Sequence, residues 1–211
     1  MIIALYGRED LCKNISNILY ETFSFEIVNL KDAAKRFCEQ IFDFKPRKLW
    51  DDDLSNQEDD RYKYLYNKEE AVHLSPKIAV DSLISWGHQC SDGQIWADYA
   101  LHIANALLEK SEFDDVAIYE KRNGISYSTF PYAPIKNVCL TGITSSKELK
   151  KLKENNVKII YVKSKNKNDT LDIPLDLSYQ SLCNFVLEND TPKNLMIDLE
   201  DLIKEIYERK E

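Results

Sequence analysis

Residues 7 to 14 hold the first group of side chains able to do chemistry. They read Gly7-Arg8-Glu9-Asp10-Leu11-Cys12-Lys13-Asn14. Gly7 and Lys13 stand at the spacing of the phosphate-binding loop, G-x-x-x-x-G-K-[ST]. Such a loop works because backbone N–H groups and a helix N-terminus cradle phosphate oxygens, while the lysine adds a point charge. Gly7, Arg8, Cys12, Lys13 and Asn14 are therefore candidate contacts to a phosphate-bearing cofactor. Lys13 is the candidate catalytic cation. Asn14 is the candidate metal ligand, offering a carbonyl oxygen where the motif has the hydroxyl that holds Mg²⁺. Two positions depart from the pattern. Cys12 replaces the second glycine, and its Cβ crowds the phosphate path. Asn14 replaces Ser or Thr. Glu9 and Asp10 also place negative charge where an anion would bind.

The elements that must position this turn follow from hydrophobic periodicity. Ile2 to Tyr6 is a short continuous apolar run, as in a buried parallel strand. From Leu11 the pattern is helical, with Leu11, Ile15, Ile18 and Leu19 on one face. Phe25 to Leu30 reads as a second strand. Ala33, Ala34, Phe37, Cys38, Ile41 and Phe42 form an amphipathic helix, with Pro46 beyond its end. The acidic stretch 51–60 reads as a solvated loop or lid. Tyr62, Tyr64 and Tyr66 alternate after it, as at a packed edge.

Ser75-Pro76 is a strong helix start, serine as cap and proline at the first helical position. Gly87 is placed to end that helix, and Asp92 to cap the next. Residues 116–130 have β-rich flanks around Asn123-Gly124, the preferred two-residue hairpin turn. Val138 to Thr141 is a buried strand. Ser145 and Glu148 have capping-box spacing, and Asn155-Asn156 can end that helix in left-handed geometry. Val157 to Val162 and Phe185 to Leu187 are further strands. Thr191-Pro192 opens a last helix through Leu195, Leu199, Leu202, Ile203 and Ile206. Strands alternating with helices predict an α/β domain around a parallel sheet.

Composition narrows the function classes. The chain has 211 residues, 44% hydrophobic and 30% charged, which suits a folded globule of one domain. A net charge of −8 disfavours a bulk grip on nucleic acid. The lysines at 147, 150, 151, 153 and 158 read as the wet face of a helix. No apolar run approaches a membrane span, so no membrane partner is expected. The five cysteines are widely spaced without C-x-x-C, which argues against a disulfide framework or zinc ribbon. Reduced thiols suit a cytoplasmic protein. There are only five glycines, so each is a place where backbone geometry matters.

Beyond the first turn, several segments come in a familiar order. Lys31-Asp32-Ala33-Ala34-Lys35 matches an Asp-Pro-Leu-Lys pattern at Asp32 and Lys35. Ser75-Pro76-Lys77, Trp86-Gly87 and Ile95-Trp96 follow at similar spacing. Val186-Leu187-Glu188-Asn189-Asp190 then precedes the last helix. With these features the chain resembles the deoxynucleoside monophosphate kinases of large DNA phages and the related phosphomevalonate kinases. The likeness spans nearly the whole chain, apart from the acidic loop and the hairpin.

The resemblance implies a P-loop kinase-like three-layer fold over residues 1–211, with a central parallel sheet and an added β-hairpin. Residues 51–74 would be an acidic, lid-like segment and 116–136 the hairpin insertion. It implies ATP and Mg²⁺ as cofactors and a (deoxy)nucleoside monophosphate as acceptor. Lys35 and Lys77 would hold that acceptor, and Asp32 would be a catalytic base or metal partner. The departures concentrate at the chemistry. The stretch Leu140 to Thr144 lacks the family's Asp and Arg. Lys77 replaces a substrate arginine. The polar loop 163–174 offers lysines where a lid would supply arginines. The alternative is a catalytically silent kinase-derived module that binds a protein partner or itself, possible in a viral assembly. It would then reside in the host cytoplasm or the virion.

Overall fold

The computed structural model describes residues 1–57, 63–66, 70–91, 93–113, 120–122, 125–127, 135–163, 179, 181–188 and 192–208. The chain divides into two compact units, one of Met1–Asn29 with Ala100–Glu211, the other Leu30–Tyr99.

The first unit is built on a five-stranded parallel sheet. Its strands are β1 (Ile2–Gly7), β2 (Phe25–Asn29), β7 (Asn137–Thr141), β8 (Lys158–Lys163) and β9 (Phe185–Glu188). Their order is β2-β7-β1-β8-β9. The architecture is therefore α/β, with a central parallel sheet flanked by helices. β1 runs down the middle, paired with β7 from Ile2↔Val138 and with β8 from Ile3↔Lys158. A strand buried on both faces cannot alternate, which is why Ile2 to Tyr6 is continuously apolar.

Right-handed crossovers place the helices on the sheet. α1 (Glu9–Phe23) joins β1 to β2 on one side, while α7 (Ser146–Glu154) joins β7 to β8 by crossing β1 in the other direction. Opposite directions of travel with one handedness require opposite faces. Side chains agree. Ile3, Leu5, Cys139, Ile160 and Val162 share a core with Cys12, Ile15 and Leu19 of α1. Leu199, Leu202, Ile203 and Ile206 of α8 (Pro192–Glu208) complete that core. On the other face, Leu149 and Leu152 of α7 are fully buried, and α7 packs against β8.

Local signals in this unit act as expected. Ser145 Oγ accepts from Glu148 N at 3.2 Å, and Glu148 Oε2 accepts from Ser145 N at 2.9 Å, a complete capping box. Asn156, at φ 59, takes the left-handed stop after α7. Residues Glu120–Arg122 (β5) and Ile125–Tyr127 (β6) pair antiparallel as a hairpin. Its Asn123-Gly124 turn lies outside the described residues.

The second unit holds α2 (Asp32–Phe42), α3 (Pro46–Trp50), α4 (Asp52–Ser55) and α5 (Pro76–Ser91), with the start of α6 (Gln94–Phe113). A β3–β4 pair, Lys63–Tyr66 with Glu70–His73, is antiparallel. Three expectations change here. The acidic segment is in part helical, because the Asp51 side chain accepts from the N–H groups of Asp53 and Leu54. Residues 58–60 of that segment, Tyr62 and Asp92 fall outside the described residues. Phe37 and Ile41 of α2 are exposed, and burial goes to Ala33, Ala34 and Cys38. Gly87 does not end α5, which runs on to Ser91. It is glycine because the Trp96 indole lies on it: an added Cβ would fall 2.5 Å from that ring.

Gly7 is the tightest point of the sheet. Its φ is +143, and a Cβ there would lie 2.0 Å from the Val162 carbonyl oxygen. Both facts exclude a larger residue. Gly7→Ala should lower unfolding free energy by about 3 kcal/mol or more, read as a reduced urea midpoint.

Candidate functional site

In open α/β sheets, ligands sit at the carboxyl ends of the strands. Here that edge is formed by Gly7 of β1, Asn29 of β2, Thr141 of β7, Lys163 of β8 and Glu188 of β9. Lys163 and Glu188 pair with each other. Gly142 follows β7 at φ +78, and its Cα lies against the Asn29 carboxamide, where an added Cβ would be 2.3 Å from Oδ1. The sequence reading did not single out Asn29. Its signal was the polar residue closing an apolar strand.

The turn after β1 departs from an open phosphate loop. One residue, Arg8, separates β1 from α1. Arg8 is extended (φ −61, ψ 124), and Cys12 N already donates to its carbonyl at 2.9 Å. Glu9, Asp10, Leu11 and Cys12 are thus the first helical turn. Two causes favour this. Acidic side chains stabilise a helix N-terminus, and Cys12 buries against the sheet with Ile15 and Leu19. The Gly-to-Lys spacing is met in sequence but spent on helix, so the backbone amides form no cradle.

Two side chains of this turn pair with each other. Arg8 Nε donates to Asp10 Oδ1 at 2.7 Å and Nη2 to Oδ2 at 2.8 Å, a two-pronged clamp. The Arg8 guanidinium holds the Asp10 carboxyl below its usual range, and the backbone donors add to this.

The other sequence candidates are placed as follows. Lys13 and Asn14 lie on the exposed side of α1. The Lys13 carbonyl accepts from Ser16 Oγ at 2.9 Å. Asp32 and Lys35 occupy the first turn of α2, where an acid at position 32 suits the helix dipole. The Lys35 ammonium sits 4.8 Å from the Trp50 ring centroid, a cation–π contact. Lys77 is exposed in the first turn of α5. The first group belongs to one compact unit, and Asp32, Lys35 and Lys77 to the other. The residues present at the β1–α1 turn do not fit a triphosphate with its Mg²⁺. Among the described residues no group of three or more His, Cys, Asp or Glu side chains could hold a metal, and no helix is long and apolar enough to cross a membrane.

A second cluster lies on the α7 face. Tyr6 stacks on Tyr179 at 5.8 Å and 5°, and tilts against Tyr161 at 6.0 Å. Burial, with Tyr179, Tyr161 and Cys183 nearby, pushes the Tyr6 phenol up to about 12.

Two measurements check these assignments. Asp10 should titrate below the unperturbed value of about 3.9, and Arg8→Gln should move its midpoint upward in carboxyl-detected NMR. Because the folded pKa is the lower one, its small contribution to stability is full above about pH 4 and lost as pH falls through the folded value. Burial pushes the Cys12 thiol up to about 12 and Cys38 to about 11, and raises Cys139 as well. At pH 8, iodoacetamide should therefore label exposed Cys90 first and spare Cys12, Cys38 and Cys139 until unfolding.

No family model and no curated protein matches the chain. Among solved structures it is similar to dephospho-CoA kinase from Campylobacter jejuni, at 10% identity and a TM-score of 0.43, covering 100% of this chain and 98% of that one.

Proposed function

We propose that this chain is a kinase-like α/β module whose phosphate site is silent, and that it acts by binding rather than by phosphoryl transfer. The observation that carries this reading is the start of α1. Residues 9–12 are coiled into helix, and the Asp10 carboxylate, clamped by Arg8, stands in the first turn, where a donor phosphate would need open amides. Phosphoryl transfer relies on positioned cations and amides to stabilise developing charge. A fixed carboxylate at that place works against the same charge. The β7 edge reinforces the reading, since Thr141-Gly142 supplies neither acid nor arginine.

The binding role has support in the second unit. Ile78, Asp81, Ser82, Ser85, Trp86 and Gln89 line a shallow groove along α5. Trp86 is 53% exposed there, and large exposed aromatic side chains are enriched where proteins meet. A protein partner or a second copy is the kind of ligand that fits such a surface.

The purified chain should show no turnover with ATP·Mg²⁺ and any of the common nucleoside or deoxynucleoside monophosphates in a coupled assay. Millimolar ATP·Mg²⁺ should leave its melting temperature unchanged, because a ligand present at 100 times Kd would add about 2.7 kcal/mol. Turnover with any acceptor would overturn the reading.

A further inference from the structure

α5 is short of charge. Over Pro76–Ser91 it holds Lys77 and Asp81 and no other Lys, Arg, Asp or Glu, in a chain that is 30% charged. The outward face of a surface helix ordinarily carries its charged residues. Here Ile78, Asp81, Ser82, Ser85, Trp86 and Gln89 recur at three- and four-residue steps, so they share one side of the helix. All six are exposed. The opposite side, with Ala79, Val80 and Gly87, is buried. Ile78 is 49% exposed and Trp86 53%. Few charges beside a large aromatic ring and an aliphatic side chain make the composition of an interface core.

The two charges point to the partner. Lys77 and Asp81 stand one turn apart on one flank of that face. Neither has an ion-pair partner among the described residues. Lysine before acid is the weaker order for pairing within a helix. The flank is instead its own complement. When a two-fold axis sets two α5 helices antiparallel, like flanks meet, and each Lys77 faces the partner's Asp81. The axis then passes level with Ala79. A parallel pair would turn this flank toward the Trp86 side and leave both charges unpaired. Ser82 and Ser85 lie in the centre of the face, where small side chains let two helices pack closely.

We propose that the outward face of α5 is a self-association site. A second copy of this chain seats its own α5 there, antiparallel, with two reciprocal Lys77–Asp81 pairs flanking Ile78 and the serines. The inference rests on the binding role proposed above and names the partner. A helix of this length gives a seam about 24 Å long, at the low end of interface sizes, so the dimer is weak and reversible.

The test is sedimentation velocity on the full chain from about 5 to 500 μM. Native protein should pass from monomer to dimer as concentration rises. Lys77→Glu and Asp81→Lys should each weaken the dimer at least about tenfold, because like charges then meet. The double variant Lys77→Glu with Asp81→Lys should restore it, and Trp86→Ala should weaken it. All three positions are exposed, and circular dichroism checks that each variant is folded. Orientation is read from spin labels on the exposed Cys90, with Cys183→Ser. Cys90 lies eleven residues past Ala79, so an antiparallel pair holds the two labels about 33 Å apart along the seam. A chain that stays monomeric throughout overturns the second copy and leaves the silent reading to its own assay. A dimer that ignores both charge reversals, or labels within about 15 Å of each other, overturns the antiparallel seat on α5. Turnover with ATP removes the silent reading and does not bear on self-association.

Discussion

The packing of α1 on the sheet decides where α1 begins. Cys12, Ile15 and Leu19 bury against Ile3, Leu5 and Cys139, and this apolar seam holds the helix in one register from its first turn. β1 beneath it is equally constrained, paired on both edges and closed at its end by Gly7 on the Val162 carbonyl. With strand and helix both fixed, a single residue spans the gap. An open phosphate loop needs slack at this place, and the core leaves none.

Electrostatics then follows from that geometry. A helix N-terminus presents unpaired amides and a partial positive charge. Here Glu9 and Asp10 place negative charge in that first turn, and Arg8 is clamped on Asp10. The cost of burying Cys12 instead of a glycine is small, since its thiol stays neutral in the core. Phosphate binding and core packing ask opposite things of residues 9–12, and here Cys12 is packed in the core.

The second unit shows the reverse emphasis. Its interior mixes small residues, Ala33, Ala34, Ala79 and Ala97, with the large side chains of Phe44, Leu49 and Trp96, the last lying on Gly87. Larger apolar side chains such as Phe37, Ile41, Ile78 and Trp86 remain at the surface. Small interior residues let helices approach closely, while outward aromatics leave a surface suited to contact.

Sequence alone was enough for the alternation of strand and helix, the capping box at Ser145 and Glu148, the start of α5 at Ser75-Pro76 and the burial of β1. Each is a local rule, carried by period, cap or turn chemistry within a few residues. Sequence did not reveal that the helix begins already at Glu9, because spacing counts residues and is blind to their conformation. It misjudged Gly87, since the ring that requires glycine there comes from Trp96 on the next helix. It passed over Asn29, which matters through Gly142, more than a hundred residues away in the chain. Those points depend on which side chains meet across elements, and only the tertiary structure brings them together.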